Sequence, residues 1–272
     1  MVKERISIMG CGWLGFPLAI ELIRLGYTIN GSTTRKEKIK TLEEQGISAF
    51  CIQATEQLVG EQINEFFQSE ILILNIPPGR KRSDIETYHP IQIKNLVERA
   101  MANGVKKLLF ISSTGVYGNV NSTVSESDLP NPSRPSGRAL LSIENWLGGL
   151  ENLEVSVLRM AGLVGGDRKA GRFLAGKKDL ANGDAAVNMI HQEDAIGIIL
   201  QLLRQGKWGI TLNCCADEHP SRSAFYTAQA KKQGFVAPTF LENGPTTFKI
   251  VSNHKLKSIL NYTFQHPDPM DF

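Results

Sequence analysis

Apolar positions follow two alternating rhythms through the first half of the chain. Short apolar runs at 5–9, 27–31, 47–52, 71–76, 106–112 and 154–158 read as strands. Between them, 16–25, 36–45, 59–68, 84–103 and 136–150 repeat apolar residues at helical spacing. Ile71-Leu-Ile-Leu-Asn-Ile76 and Leu108-Leu-Phe-Ile111 are almost wholly apolar, as strands covered on both faces must be. Strands alternating with helices predict an α/β fold: a parallel, doubly wound sheet joined by right-handed crossovers. The rhythm loosens beyond it. Residues 117–135 are rich in Gly, Asn, Ser and Pro and read as a surface excursion. From Arg159 the elements shorten and glycines accumulate, so 1–158 is expected to form one domain. Residues 159–272 are expected to form mainly a smaller α/β domain, with helix 193–205 returning to the sheet.

The first strand runs directly into Gly10-Cys-Gly12-Trp-Leu-Gly15, and a helical pattern follows at once. Strand, G-x-G-x-x-G turn and helix together form a dinucleotide-binding unit of the Rossmann kind. Gly10 permits the tight turn, Gly12 leaves room beside a pyrophosphate, and Gly15 allows close packing of helix on strand. The amides of Trp13 and Leu14 point, with the positive helix end, at the phosphates.

The second strand refines the cofactor expectation. No acidic residue occurs between Glu21 and Glu37, so the usual acceptor for the adenosine ribose is missing. Ser32, Thr33, Thr34 and Arg35 stand there instead and suit a 2′-phosphate. NADP is therefore expected over NAD. Asn75, Ile76 and Pro77 close the fourth strand at its carboxyl end, where such sheets bind ligands, and with Ser112 complete the expected cofactor-binding set.

Composition excludes more than it assigns. With 272 residues, 42% hydrophobic and 21% charged, the chain can bury a full core. A formal net charge of +3 without a dense basic run gives no reason to expect nucleic acid or a membrane surface as partner. The amino terminus reads as a strand rather than a leader, and no apolar run approaches a membrane span, so a cytoplasmic location is expected. Cys11, Cys51, Cys214 and Cys215 read as reduced thiols. The five histidines lack the paired spacing of a zinc site, and no metal is expected.

Further segments, in order, carry a resemblance. Ile111-Ser-Ser-Thr-Gly-Val-Tyr-Gly118, Leu158-Arg159 followed by Gly162-Leu-Val-Gly165, and Asn188-Met-Ile-His191-Gln-Glu-Asp194-Ala resemble the extended short-chain dehydrogenase/reductases, the group of nucleotide-sugar epimerases and dehydratases. The stretch from Asn213 to Gly234 resembles the unit that opens that family's substrate domain. Two departures mark the chain as atypical. The glycine motif has one residue fewer than the group's usual form. Counting back from Glu144, Ser136 and Leu140 stand where the family carries its catalytic Tyr and Lys. The Gly-Arg-Ala-Leu sequence at 137–140 is similar to a bacterial YeeZ-like subgroup.

The resemblance implies an oxidoreductase or epimerase acting on a hydroxyl or carbonyl of a small, nucleotide-linked substrate. Ser113 matches the family's catalytic Ser/Thr, and Tyr117 is the remaining phenol for proton transfer. Arg138 and His191 are candidates for substrate contact. The missing Tyr-Lys pair leaves a second expectation, an NADP-binding redox sensor without turnover.

Overall fold

Residues 4–79, 82–242 and 246–272 are described by the computed structural model. In chain order the elements are β1 (Arg5–Met9), α1 (Gly15–Arg24), β2 (Thr28–Thr33), α2 (Ile39–Glu43), β3 (Ser48–Ala54), β4 (Leu58–Gly60), α3 (Ile63–Phe66), β5 (Ile71–Leu74), α4 (Ile85–Ala102) and β6 (Lys107–Ser113). The chain continues through β7 (Thr123–Val124), α5 (Pro135–Gly148), β8 (Glu154–Met160), β9 (Gly162–Val164), β10 (Met189–His191), α6 (Gln192–Gln205), β11 (Thr211–Cys214), α7 (Arg222–Lys232), β12 (Ile250–Val251) and α8 (His254–Leu260).

Eight strands form the Rossmann-type sheet in the order β11-β8-β6-β5-β1-β2-β3-β4. β1 pairs in parallel with β2 on one side and β5 on the other, so Ile6 stands between Ile29 and Ile71. The winding direction reverses at β1, which places the ligand crevice at the carboxyl ends of β1 and β5. Ile6, Ile8, Leu72, Leu74, Leu108 and Phe110 are wholly buried, as their apolar runs require. Among the buried polar strand residues, Asn30 and Ser7 bond toward α3. Asn30 donates to the carbonyl oxygens of Phe66 and Glu65 at 3.0 and 3.2 Å, while Ser7 bonds Ser69 at 2.8 Å and the Phe66 carbonyl. These bonds dock the short α3 beneath the sheet.

One predicted helix is different in the structure. The 59–68 stretch opens as β4, antiparallel to β3, and only Ile63–Phe66 is helical. A Cβ on Gly60 would lie 2.5 Å from the Cys51 carbonyl oxygen, so glycine permits the close edge pairing. Gln62 then takes a left-handed backbone (φ 54°), which stops any helix from running through.

The chain divides into two units. The first holds the residues up to Val116 with Arg134–Leu158 and Gly206–Thr211; the second holds Tyr117–Ser133, Arg159–Gln205 and Leu212–Phe272. Helix α6 and the 117–133 excursion thus belong to the second unit. That unit contains two small parallel pairs, β9 with β10 and β7 with β12. Its core gathers Val164, Ala170, Val187, Met189 and Phe225, with Tyr226, Met270 and Phe272 packed against it. Among the described residues, no helix is long and apolar enough to cross a membrane.

Candidate functional site

The turn after β1 is held from both neighbouring strands. Gly10, at φ 105°, donates its amide to Ser32 Oγ at 2.9 Å, and Cys11 donates to the Ser32 carbonyl at 2.7 Å. From β5, Asn75 donates its backbone amide to Met9 O at 3.0 Å and its side-chain amide to Gly10 O at 3.2 Å.

The three glycines differ in what surrounds them. A Cβ on Gly15 would lie 2.2 Å from Gly10 O, and one on Gly10 would lie 2.8 Å from Asn75 O. At Gly12 a Cβ would meet nothing within 4 Å. Fold closure therefore demands the outer two glycines, while the middle one faces open space. No side chain caps the amino end of α1, whose N-cap is the buried Leu14, and Trp13 beside it is half-buried. An uncapped helix start beside an unobstructed glycine backbone suits an anion, and the cradle fits a dinucleotide pyrophosphate.

At the ends of β5 and β6 the expected residues divide by environment. Asn75 and Ile76 are half-buried and Pro77 is exposed. Ser112 is buried and donates to the Glu144 carboxylate of α5, so its hydroxyl is committed to packing helix on strand. Ser113 is half-buried, and its Oγ accepts the Gly115 amide at 3.0 Å, which leaves the hydroxyl proton able to reach a substrate oxygen. On α5, Ser136 is half-buried and Leu140 buried. Arg138 reaches across to Glu86 of α4 in a two-pronged contact, Nε to Oε2 at 2.8 Å and Nη2 to Oε1 at 2.7 Å. The pairing lowers the Glu86 pKa and raises that of Arg138, chiefly through the hydrogen bonds. Sequence spacing carries no signal for this partner, 52 residues away.

Tyr117 and His191 lie in the second unit. Tyr117 is only 3% exposed: its phenol donates to Asn213 Oδ1 at 3.1 Å and accepts from Arg159 Nη1 at 2.6 Å. Burial raises its pKa, and the Arg159 charge opposes this only in part. A phenol free at a cleft mouth is thus replaced by one locked into a buried network. His191 stacks on His266 with ring centroids 3.9 Å apart, and Glu193 lies beside both.

Residues 6–215 match the NAD dependent epimerase/dehydratase family. The chain belongs to this family. It is 35% identical over 272 residues to Protein YeeZ of Escherichia coli K12, covering 98% of each chain. Among solved structures, UDP-glucuronic acid 4-epimerase from Bacillus cereus in complex with NAD superposes with a TM-score of 0.81 at 19% identity, covering 98% of this chain and 95% of that one. UDP-glucose-4-epimerase from Stenotrophomonas maltophila, with bound NAD and formylated UDP-arabinopyranose, gives 0.80 at 17% identity over 99% and 95%. At these identities the likeness is one of fold.

The expectation of NADP for this epimerase/dehydratase-family chain is overturned, because these similar structures hold NAD in their complexes. The geometry at the end of β2 explains why the sequence argument failed. Ser32 is 2% exposed with its Oγ taken by Gly10, and Thr33 Oγ1 accepts the Arg35 amide at 3.2 Å. The hydroxyls of Ser32 and Thr33, read as part of a phosphate grip, are instead taken by backbone amides. Thr34 and Arg35 are exposed.

Proposed function

We propose that this chain binds NAD against the Gly10–Gly15 turn and acts on a hydroxyl or carbonyl carbon of a nucleotide-linked sugar. The observation that carries the reading is the open face of Gly12 between two glycines that the fold itself requires. NAD, when bound, accepts or returns hydride at the sugar carbon. The chain supplies the rest. The α1 amino end and the Gly12 backbone take the pyrophosphate, and Thr34 and Arg35 at the end of β2 lie toward the adenosine ribose. Asn75, Ile76 and Pro77 line the crevice from β5.

Ser113 donates its hydroxyl to the reacting oxygen. With Ser136 and Leu140 at the positions of the family's Tyr and Lys, the usual acid pair takes no part. Tyr117, whose phenol is held by Arg159 and Asn213, serves the fold rather than the reaction. UDP-glucose, UDP-glucuronic acid and UDP-N-acetylglucosamine epimerases among the similar structures set the first panel to try. Proton NMR of each sugar nucleotide incubated with protein and NAD tests the reading. A new epimer signal, lost in Gly12→Val, supports it; no conversion of any substrate, with NAD unbound, refutes it.

Buried Leu140 favours one second reading, a NAD-binding regulator without turnover. Tight NAD binding with no conversion across the panel would select it.

A further inference from the structure

We propose that His191, Glu193 and His266 form a divalent transition-metal site, of the zinc class, that staples the carboxyl-terminal segment to the start of α6. Among the described residues they are the one group of three or more His, Cys, Asp or Glu side chains whose ligand atoms all lie within 4.8 Å of one another. Two imidazoles and one carboxylate are a donor set zinc accepts, with the remaining position left to water.

The spacing suits the ion. Zinc–ligand bonds of about 2.0–2.1 Å in a tetrahedron bring neighbouring donor atoms to roughly 3.3 Å. Here Glu193 Oε2 lies 2.6 Å from His266 Nε2 and 3.8 Å from His191 Nδ1, on either side of that value. The shorter contact is a hydrogen bond, which the two ligand bonds to the ion would replace. Glu193, 60% exposed on the first turn of α6, has freedom to make the adjustment.

Surrounding residues fix where the two rings lie. Wholly buried Asp194 accepts the backbone amides of His266 at 2.9 Å and Gln265 at 2.8 Å, and the Tyr262 hydroxyl at 2.9 Å. That clamp fixes where the chain carrying His266 meets α6. His191 ends β10, where it pairs with Val164 of β9. The next residue, Gly165, lies so near that a Cβ there would stand 2.7 Å from His191 Nε2. Glycine thus makes room for the ring with Nε2 toward it and Nδ1 toward Glu193. Phe272 packs against both rings, at 5.4 and 6.2 Å between centroids. Glu193 and His266 are 73 residues apart, beyond any spacing rule.

Calorimetric titration of zinc into the chelator-treated full-length chain tests the proposal. One zinc per chain should bind at micromolar or lower concentration. Zinc should also raise the Tm. His191→Ala and His266→Ala should each weaken binding by about 100-fold or more, and Glu193→Gln, at an exposed position that leaves the fold intact, should weaken it too. His254→Ala, exposed and outside the group, should bind as the parent does. Binding only at millimolar zinc, a stoichiometry other than one, or unchanged affinity in Glu193→Gln and the histidine variants would overturn the site.

Discussion

Asn75 at the end of β5 donates its side-chain amide to the carbonyl oxygen of Gly10, 65 residues earlier, at 3.2 Å. The strand at the switch point thereby fixes the turn proposed to carry a pyrophosphate. Asn75→Ala should loosen that turn without emptying the core. The expected result is NAD affinity lowered by about fivefold, in line with roughly 1 kcal/mol for one hydrogen bond, with little change in Tm. Parallel calorimetry and thermal melts check it.

Gly12 and Gly15 should fail in different ways. Gly15→Ala drives a methyl to 2.2 Å from Gly10 O, so it should destabilise the fold by about 1–3 kcal/mol, read as a fall in Tm. Gly12→Ala meets open space and should keep the parent Tm while losing NAD affinity. Equal Tm losses in both would contradict the assignment of roles.

Much of this unit was legible in the sequence because its signals are local. The β1 strand, glycine turn and α1 occupy consecutive residues, and the all-apolar runs of β5 and β6 announce burial on both faces. Other features depend on partners far along the chain. β7 is two residues long and pairs with β12 through Thr123 and Ile250, and β9 pairs with β10 through Gly162 and Met189. Neither has enough residues to show a period. The pairing of Arg138 with Glu86 and the locking of Tyr117 by Arg159 and Asn213 are likewise set by tertiary packing. So is the loss of Ser32 as a ligand group, since its acceptor role toward Gly10 exists only in the folded turn.

Tyr117→Phe and Ser113→Ala should separate a structural role from a chemical one. Removing the Tyr117 hydroxyl leaves Asn213 Oδ1 and Arg159 Nη1 each without that partner in a buried place, at a cost of about 1–3 kcal/mol. Tm should fall while turnover per folded molecule persists. Ser113→Ala should keep the Tm and lower kcat by about 10²–10³-fold, the loss expected for one hydrogen-bond donor to a reacting oxygen.

Stability should decline as pH falls below the ordinary histidine value of 6.5. Burial, the leading cause in each case, holds His89, His191 and His219 below it. Between 6.5 and those lowered values the unfolded chain binds more protons than the folded one, so stability is full above 6.5 and is lost on acidification. Melts from pH 7.5 down to about pH 5 should show this slope, and His89→Asn, which removes a wholly buried imidazole, should flatten it. A Tm independent of pH over that window would refute the argument.

Asp194 should prove costly to neutralise. Its buried carboxylate accepts from Tyr262, Gln265 and His266, so Asp194→Ala leaves three donors without it. A loss of about 3 kcal/mol or more is expected, with the amides of Gln265 and His266 exchanging faster with deuterium.

Calorimetric titration of NAD into the full-length chain and its Gly12→Val variant tests the central claim most directly. One NAD per chain should bind the parent, and binding should vanish in a variant that melts at the parent temperature. A parent that takes up no NAD, or a folded variant that binds it equally well, would contradict the account.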